Sequence, residues 1–222
     1  MKLLLVRHGE SVGNAEDRLQ GQLDYPLTER GEEQARALGG VLASLGVKFN
    51  AAYVSPLRRA RQTAELISAG MTLPEWSLLD DLQEISFGRL EGLKRSEIEQ
   101  AAPEFLARGI ESLADYGEFG GEAYEAVQAR VERVRAPLIN RHRAAEDTVL
   151  IVGHGGFGFQ LAKSLVCAPV PRVCLLKIGN CTSTLIQMSE RRGTYIGELV
   201  WHVPLALWRG QATGDGALGL FR

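Results

Sequence analysis

Two short apolar runs lie far apart in the chain, and each is followed by a histidine beside glycine. Residues 3–6 (LLLV) lead into Arg7-His8-Gly9, and residues 148–152 (TVLIV) lead into Gly153-His154-Gly155. Continuous apolar runs of this length predict strands buried on both faces, as in a parallel sheet covered by helices. Ligands of open α/β sheets bind beyond the carboxyl ends of the strands, so both histidines are expected at one edge of the sheet.

Helix-like segments alternate with these strands, which indicates the α/β class. Thr28 is placed to cap a helix that ends near Gly46. A strand over residues 51–54 precedes a helix that we expect to start at Ser55-Pro56, because proline is favoured in the first helical turn. A longer helix is expected to begin near Gly121.

Three further features concern the second half of the chain. We expect Pro137 to kink or end the long helix. Residues 183–188 and 195–203 flank a charged turn and predict a hairpin. No repeat or linker divides the sequence, so we expect one domain over residues 1–208 and a flexible, glycine-rich tail over residues 209–222.

Composition excludes several classes of partner. The 222 residues include 25 Lys and Arg against 27 Asp and Glu, a net charge of −2 that favours neither nucleic acid nor an anionic membrane. An anionic substrate must therefore be held by local arginines. The apolar run near the N-terminus is too short for a signal peptide or a membrane span, and the three cysteines form no metal-binding pair, so we expect a cytoplasmic protein with reduced thiols.

A cluster of arginines follows the strand at residues 51–54. Neighbouring residues on a helix are separated by about 100°, so only one of Arg58 and Arg59 can point inward. Arg59 lies beside the small residues Ala60 and Ala64, and we expect it to face the histidines while Arg58 and Arg61 face water. Taken alone, the cluster is more typical of a solvated basic face than of a binding site.

The segment after the second histidine also matches a dinucleotide-binding fingerprint. Residues 153–158 fit the G-x-G-x-x-G pattern after a strand and before a helix. That function requires an acidic residue about 20 positions further on to bind the ribose. Residues 161–179 contain no Asp or Glu, so the pattern does not favour a dinucleotide cofactor.

Taken together, the motifs resemble the histidine phosphatase superfamily, the phosphoglycerate mutase-like proteins. The matching strings, in the family's order, are LLVRHGES at 4–11 with Asn14, DYPLTERG at 24–31, SPLRRARQTA at 55–64, LQEISFGRLEG at 82–92 and VGHGG at 152–156. The resemblance implies a three-layer α/β sandwich with a mostly parallel sheet, helices on both faces and the hairpin at or near a sheet edge.

The resemblance also implies a role for each site residue. His8 corresponds to the nucleophile that forms a phosphohistidine, and Glu84 to the proton donor. Arg7, Arg59 and His154 are expected to hold the phosphoryl oxygens and stabilise the transition state. The family's pattern places further phosphate-binding groups at four positions: Asn14, Gln20, Gly21 and Gly155. No metal and no cofactor is required.

Three functions remain open, and phosphomonoester hydrolysis is preferred. A cofactor-dependent phosphoglycerate mutase needs extra cations for a second anionic group, whereas residues 94–122 are mainly acidic. A non-catalytic phospho-ligand-binding module is disfavoured because every expected catalytic residue is present. We expect small phosphorylated metabolites as substrates. The hairpin offers an edge for a homodimer.

One further expectation concerns the wall of the substrate pocket. Leu113, Tyr116, Phe119 and Phe157 supply apolar surface that would suit the leaving group of a phosphorylated metabolite.

Overall fold

A computed structural model of the chain describes residues 1–109, 114–167, 178–192 and 194–205. The predicted tail at 209–222, the domain boundary at 208, Leu113 and Cys174 lie outside the described residues. Cys167 and Cys181 are free thiols. Within the described ranges, no helix combines the length and the apolar character needed to cross a membrane.

Six strands form one sheet in the order β3-β2-β4-β1-β5-β6. The strands are β1 Lys2–Arg7, β2 Ala51–Val54, β3 Trp76–Leu78, β4 Thr148–Gly153, β5 Ser183–Arg191 and β6 Thr194–Val203. Strands β1 to β4 pair in parallel, β5 pairs antiparallel with β1, and β6 pairs antiparallel with β5 to complete a hairpin at the sheet edge. The predicted mostly parallel sheet with an edge hairpin is therefore confirmed.

The pairing of β1 with β4 brings the two histidine motifs together. Arg7 is paired with Gly153 at the carboxyl ends of the two strands. His8 and His154 are the next residue of each strand, and the backbone N–H of His8 donates to the carbonyl of Gly153 over 2.9 Å. Sheet register thus fixes the separation of the two imidazoles.

Helices cover both faces of the sheet. The α-helices are α1 Val12–Ala15, α2 Glu29–Ser44, α3 Arg58–Ser68, α4 Arg95–Ala101, α5 Pro103–Leu106, α6 Tyr124–Arg141 and α7 Gly155–Val166. Alternate residues of β1 serve the two sides: Leu3 and Leu5 pack under α6 and α7, and Leu4 and Val6 pack under α2 and α3. Burial of both strand faces explains the unbroken apolar runs and produces the three-layer sandwich.

Two helix boundaries differ from the sequence prediction. Helix α3 begins at Arg58 rather than at Ser55, because the Ser55 hydroxyl accepts from the N–H of Leu57 and the carboxylate of Asp24 accepts from the N–H of Arg58. Helix α6 does not end at Pro137 but continues to Arg141. Pro137 is exposed, so water can solvate the carbonyl that it leaves unpaired, while the buried Leu138 anchors the last turn.

Candidate active site

A cavity of about 490 Å³ opens at the carboxyl ends of β1 and β4. Eight of the nine site residues expected from the sequence line it: Arg7, His8, Asn14, Gln20, Gly21, Arg59, Glu84 and Gly155. The ninth, His154, lies behind His8, and the centroids of the two imidazole rings are 5.3 Å apart. The site therefore unites segments from both ends of the chain.

The His8 ring is held with one nitrogen available for chemistry. Its Nδ1 lies 2.6 Å from the carbonyl oxygen of Gly9, which can only accept, so Nδ1 carries the proton. The lone pair is left on Nε2, which accepts from Nε of Arg59 over 3.2 Å. Burial, followed by the charges of Arg7 and Arg59, lowers the pKa of His8 well below 6.5. The imidazole is therefore neutral and nucleophilic at physiological pH.

Arg59 is the arginine of the cluster that points inward, as its helical position predicts. It is 1% exposed, whereas Arg58 and Arg61 are exposed. Its two terminal nitrogens donate to the carbonyls of Gly21 and Leu23, each over 2.7 Å, which fixes the guanidinium plane beside His8. Burial lowers its pKa to about 10, so it stays cationic at neutral pH.

Arg7 and His154 each carry a buried nitrogen without a hydrogen-bond partner among the described residues: Nε of Arg7 and Nδ1 of His154. One further nitrogen of each side chain is engaged. Arg7 donates from a terminal nitrogen to the carbonyl of Ile178 over 2.6 Å, and Nε2 of His154 lies 2.7 Å from the Ser55 hydroxyl. Because an unpaired buried donor is costly, Nε of Arg7 is suited to the oxygen of an anion, and Nδ1 of His154 is suited to one in the tautomer in which it carries the ring proton.

The pKa of His154 is also lowered well below 6.5, first by burial and then by the charge of Arg59. The ring is therefore neutral, and one nitrogen carries its proton. Ser55, which the sequence analysis placed only at a helix start, is the described side chain that contacts this ring through a hydrogen bond.

Glu84 sits against the first turn of α7. One carboxylate oxygen accepts from the backbone N–H of Gly156 over 2.9 Å, and the other accepts from Phe157 over 2.7 Å and from Ile85 over 2.9 Å. Two N–H groups of the first turn of α7 thus hold the carboxyl group of Glu84 at the cavity.

Arg130 braces the Glu84 segment from behind, and the sequence analysis missed it. This buried side chain on α6 donates to the carbonyls of Asp81, Gln83 and Glu84 and forms an ion pair with Glu122, with an N–O distance of 2.6 Å. Glu122 in turn accepts from the N–H of Ser86. Helical periodicity marks position 130 as neighbouring the core but cannot reveal partners that come from another segment.

Asn14 and Gln20 line the side of the cavity opposite α7 as part of a hydrogen-bonded group. The hydroxyl of Ser11, the N-cap of α1, donates to Oε1 of Gln20 over 2.7 Å. Asn180 reaches the same group from the segment before β5 and donates to Oδ1 of Asn14 over 3.0 Å. No sequence motif identifies Asn180, because its role depends on a contact 166 residues away.

The outer part of the cavity differs from the sequence expectation in two ways. Its apolar surface comes from Leu19, Phe87, Phe159 and Ile178 rather than from the predicted residues. Tyr116 and Phe119 pack with Phe105 in a separate cluster, and Phe157 lies in the core under Arg130, with the guanidinium carbon 4.2 Å from the ring centroid. Phe119 and Phe157 are buried, and the partly buried Tyr116 packs against Phe87 with ring centroids 4.5 Å apart, so none of the three rings is part of the cavity lining.

The outer cavity is also more cationic than residues 94–122 suggest. Arg18 and Arg95 line it, each in an ion pair with an acid that does not, Glu16 and Asp17, and among the described acidic side chains only Glu84 lines it. Several acids of that segment are used elsewhere: Glu97 accepts from the N–H of Lys94, and Glu104 pairs with Arg89. The net charge of residues 94–122 therefore does not predict the charge that surrounds a ligand in the cavity.

Comparisons with known proteins identify the family of this chain. The family model described as histidine phosphatase superfamily (branch 1) matches residues 3–197. A 2,3-bisphosphoglycerate-dependent phosphoglycerate mutase from Bartonella tribocorum is 34% identical over 155 residues, which cover 69% of this chain and 75% of that protein.

Two solved structures of similar proteins cover more of the chain. The mycobacterial glucosyl-3-phosphoglycerate phosphatase in complex with VO₃ has a TM-score of 0.75 at 30% identity and covers 91% of this chain and 99% of its own. The α-ribazole phosphatase from Shigella flexneri has a TM-score of 0.73 at 27% identity, with 90% and 95% covered. With the family model matched over most of its length and the expected side chains gathered in one cavity, this chain belongs to the histidine phosphatase superfamily and is an enzyme of that family.

Proposed function

We propose that the protein is a phosphomonoesterase that acts on small phosphorylated metabolites through a phosphohistidine intermediate, without a metal ion. The observation that carries the proposal is the state of His8: neutral, with its proton fixed on Nδ1 by Gly9 and its Nε2 lone pair beside Arg59 in the cavity. A ring in this state can attack phosphorus at neutral pH.

In the first step, the Nε2 lone pair forms a bond to phosphorus while the bond to the ester oxygen breaks. Arg7, Arg59 and His154 neutralise the charge on the non-bridging oxygens. Glu84, in its protonated form, gives its proton to the departing alkoxide, which leaves as an alcohol. The N–H groups of Gly156 and Phe157 hold the carboxyl group in place.

In the second step, water attacks the phosphoryl group on His8. The Glu84 carboxylate takes a proton from this water as its oxygen bonds to phosphorus. The P–N bond breaks, its electron pair returns to Nε2, and inorganic phosphate leaves. The enzyme is restored with Glu84 protonated and His8 neutral, so the two half-reactions balance.

A phosphoglycerate mutase is the second candidate, and two observations favour it. The curated relatives at 34% identity carry that name, and Arg18 and Arg95 supply cations for a second anionic group. Hydrolysis is preferred because both solved structures, at 30% and 27% identity over at least nine-tenths of this chain, are of proteins named as phosphatases. Cytoplasmic location and the absence of a metal requirement stay predictions from the sequence.

The test is phosphate release from a panel of phosphomonoesters in the presence of a metal chelator, together with conversion of 3-phosphoglycerate to 2-phosphoglycerate. We expect hydrolysis to exceed mutase activity, vanadate to inhibit it, and radiolabelled substrate to leave an acid-labile, base-stable label on the protein. In His8→Ala both the label and the turnover are expected to disappear.

Arg61→Ala is the matched control, since Arg61 is a charged but exposed residue near the site and should leave activity unchanged. Isomerisation of 3-phosphoglycerate faster than phosphate release would overturn the phosphatase assignment. Binding of phosphate without any label on His8 would overturn the covalent mechanism.

A further inference from the structure

The segment before β5 contains a side chain, that of Asn180, that contacts the backbone of His8. Asn180 does not line the cavity, but its Nδ2 donates to the carbonyl oxygen of His8 over 3.1 Å and to Oδ1 of Asn14 over 3.0 Å. The partly buried Asn180 thus touches the backbone of one expected site residue and the side chain of another.

Main-chain groups determine which way both amides point. A carbonyl oxygen can only accept, so the atom of Asn180 that faces His8 must be the nitrogen. The second hydrogen of that nitrogen then requires an oxygen on Asn14. The backbone N–H of Ser11, which can only donate, faces the same atom of Asn14 over 3.3 Å and imposes the same orientation.

The orientation has a consequence for a ligand. With Oδ1 of Asn14 turned toward Asn180 and Ser11, its Nδ2 is the remaining polar atom of a side chain that lines the cavity. Among the described residues, this nitrogen donates to no protein atom in any hydrogen bond of the structure. A reversed amide would present an oxygen to the phosphoryl group and repel it.

We propose that Asn180 is a positioning residue that fixes the amide of Asn14 with its N–H groups toward the phosphoryl oxygens. The proposal rests on the proposed function for its ligand, a phosphoryl group beside His8. Asn180 acts through Asn14 and contacts no reacting atom, and the Ser11 N–H shares the task over a longer distance.

A double-mutant cycle on phosphate affinity tests this directly. Dissociation constants for inorganic phosphate and inhibition constants for vanadate are measured for the wild type, Asn14→Ala, Asn180→Leu and the double variant. Loss of one hydrogen bond to a charged phosphate predicts roughly tenfold to hundredfold weaker binding in Asn14→Ala. We expect Asn180→Leu to weaken binding about threefold to tenfold, and to add less than twofold once Asn14 is alanine.

A structural role for Asn180 alone makes a different prediction, because loss of its bond to the His8 carbonyl acts in both backgrounds. The proposal would be overturned if Asn180→Leu weakened phosphate binding equally in the wild type and in Asn14→Ala. It would also be overturned if Asn180→Leu alone left the affinity unchanged. If the leucine variant fails to fold, Asn180→Ala, which adds no bulk, completes the same cycle.

The double-mutant cycle measures phosphate binding, so its result does not depend on the proposed hydrolysis. A wild type that binds phosphate and vanadate but releases none from esters would contradict the phosphatase function while leaving the cycle measurable. If the enzyme is active but the cycle shows no coupling between Asn14 and Asn180, only the role of Asn180 is contradicted.

Discussion

At the scale of single residues, the site contains two kinds of group. Some face the cavity, and others fix the orientation of those that do. His8 depends on the Gly9 carbonyl, and Arg59 on the carbonyls of Gly21 and Leu23. Glu84 is held by N–H groups of α7. A side-chain substitution does not remove a backbone carbonyl or N–H group. Substitutions of the residues that face the cavity therefore give the clearest tests of the site.

Glu84→Gln tests the proton donor through the leaving group of the substrate. The amide keeps one acceptor oxygen, for the N–H of Phe157, whereas its NH₂ group faces the N–H of Gly156 and cannot accept from it, and the amide has no acidic proton to give. We expect kcat/KM for an alkyl phosphate to fall about 10²-fold to 10⁴-fold, and kcat/KM for an aryl phosphate with an acidic phenol to fall far less. Steady-state kinetics on a matched series of esters measures this. Equal losses across the series would argue against proton donation by Glu84.

At the scale of elements, helix α7 links the sheet to the acid group. Gly156 lies where its N–H reaches Glu84, and a Cβ placed on it would stand 2.8 Å from a carboxylate oxygen. Gly158, in the same helical turn, would place a Cβ in open space. The two glycines therefore form a matched pair within one helix.

Alanine substitutions at these positions separate stability from activity. Gly158→Ala should stabilise the fold by about 1 kcal/mol through helix propensity, raise Tm by about 2–4 °C and leave kcat/KM unchanged. Gly156→Ala should lower kcat/KM for alkyl phosphates at least tenfold, since the carboxyl group must move off its N–H partners. Thermal unfolding and kinetics on both variants give the answer. Full activity in Gly156→Ala would contradict the geometry assigned to Glu84.

The sequence predicted those elements that local pattern determines. The apolar runs of β1 and β4 and the inward face of α3 follow from periodicity, and the His8 and Glu84 motifs from the family resemblance. The start of α3 was wrong because its capping carboxylate, Asp24, comes from a distant loop. Ser55, Arg130 and Asn180 were missed for the same reason, since their partners become neighbours only in the folded chain.

At the scale of the whole molecule, two buried neutral histidines couple stability to pH. The pKa values of His8 and His154 are lowered by burial in the folded state, while in the unfolded chain a histidine titrates near 6.5. Below that pH the unfolded state takes up protons that the folded state does not, so acid shifts the equilibrium toward unfolding. Stability is retained above pH 6.5 and declines as the pH falls through it.

We expect the free energy of unfolding to decrease between pH 6 and pH 5, because both histidines contribute in the same direction. Denaturant titrations at these pH values measure the slope. A His8→Gln/His154→Gln variant, which keeps polar side chains at both positions, should show a clearly shallower dependence. An identical slope in the variant would mean that other groups, such as His142, govern acid sensitivity.

The register that pairs Arg7 with Gly153 has a consequence for how the protein comes into being. During synthesis the N-terminal strand leaves the ribosome long before its neighbour β4, and Asn180 follows later still. Contacts between such distant parts of a chain form slowly. A nascent chain in which His8 has left the ribosome still lacks His154 and Asn180. We therefore expect phosphoryl transfer only after almost all described elements have been synthesised.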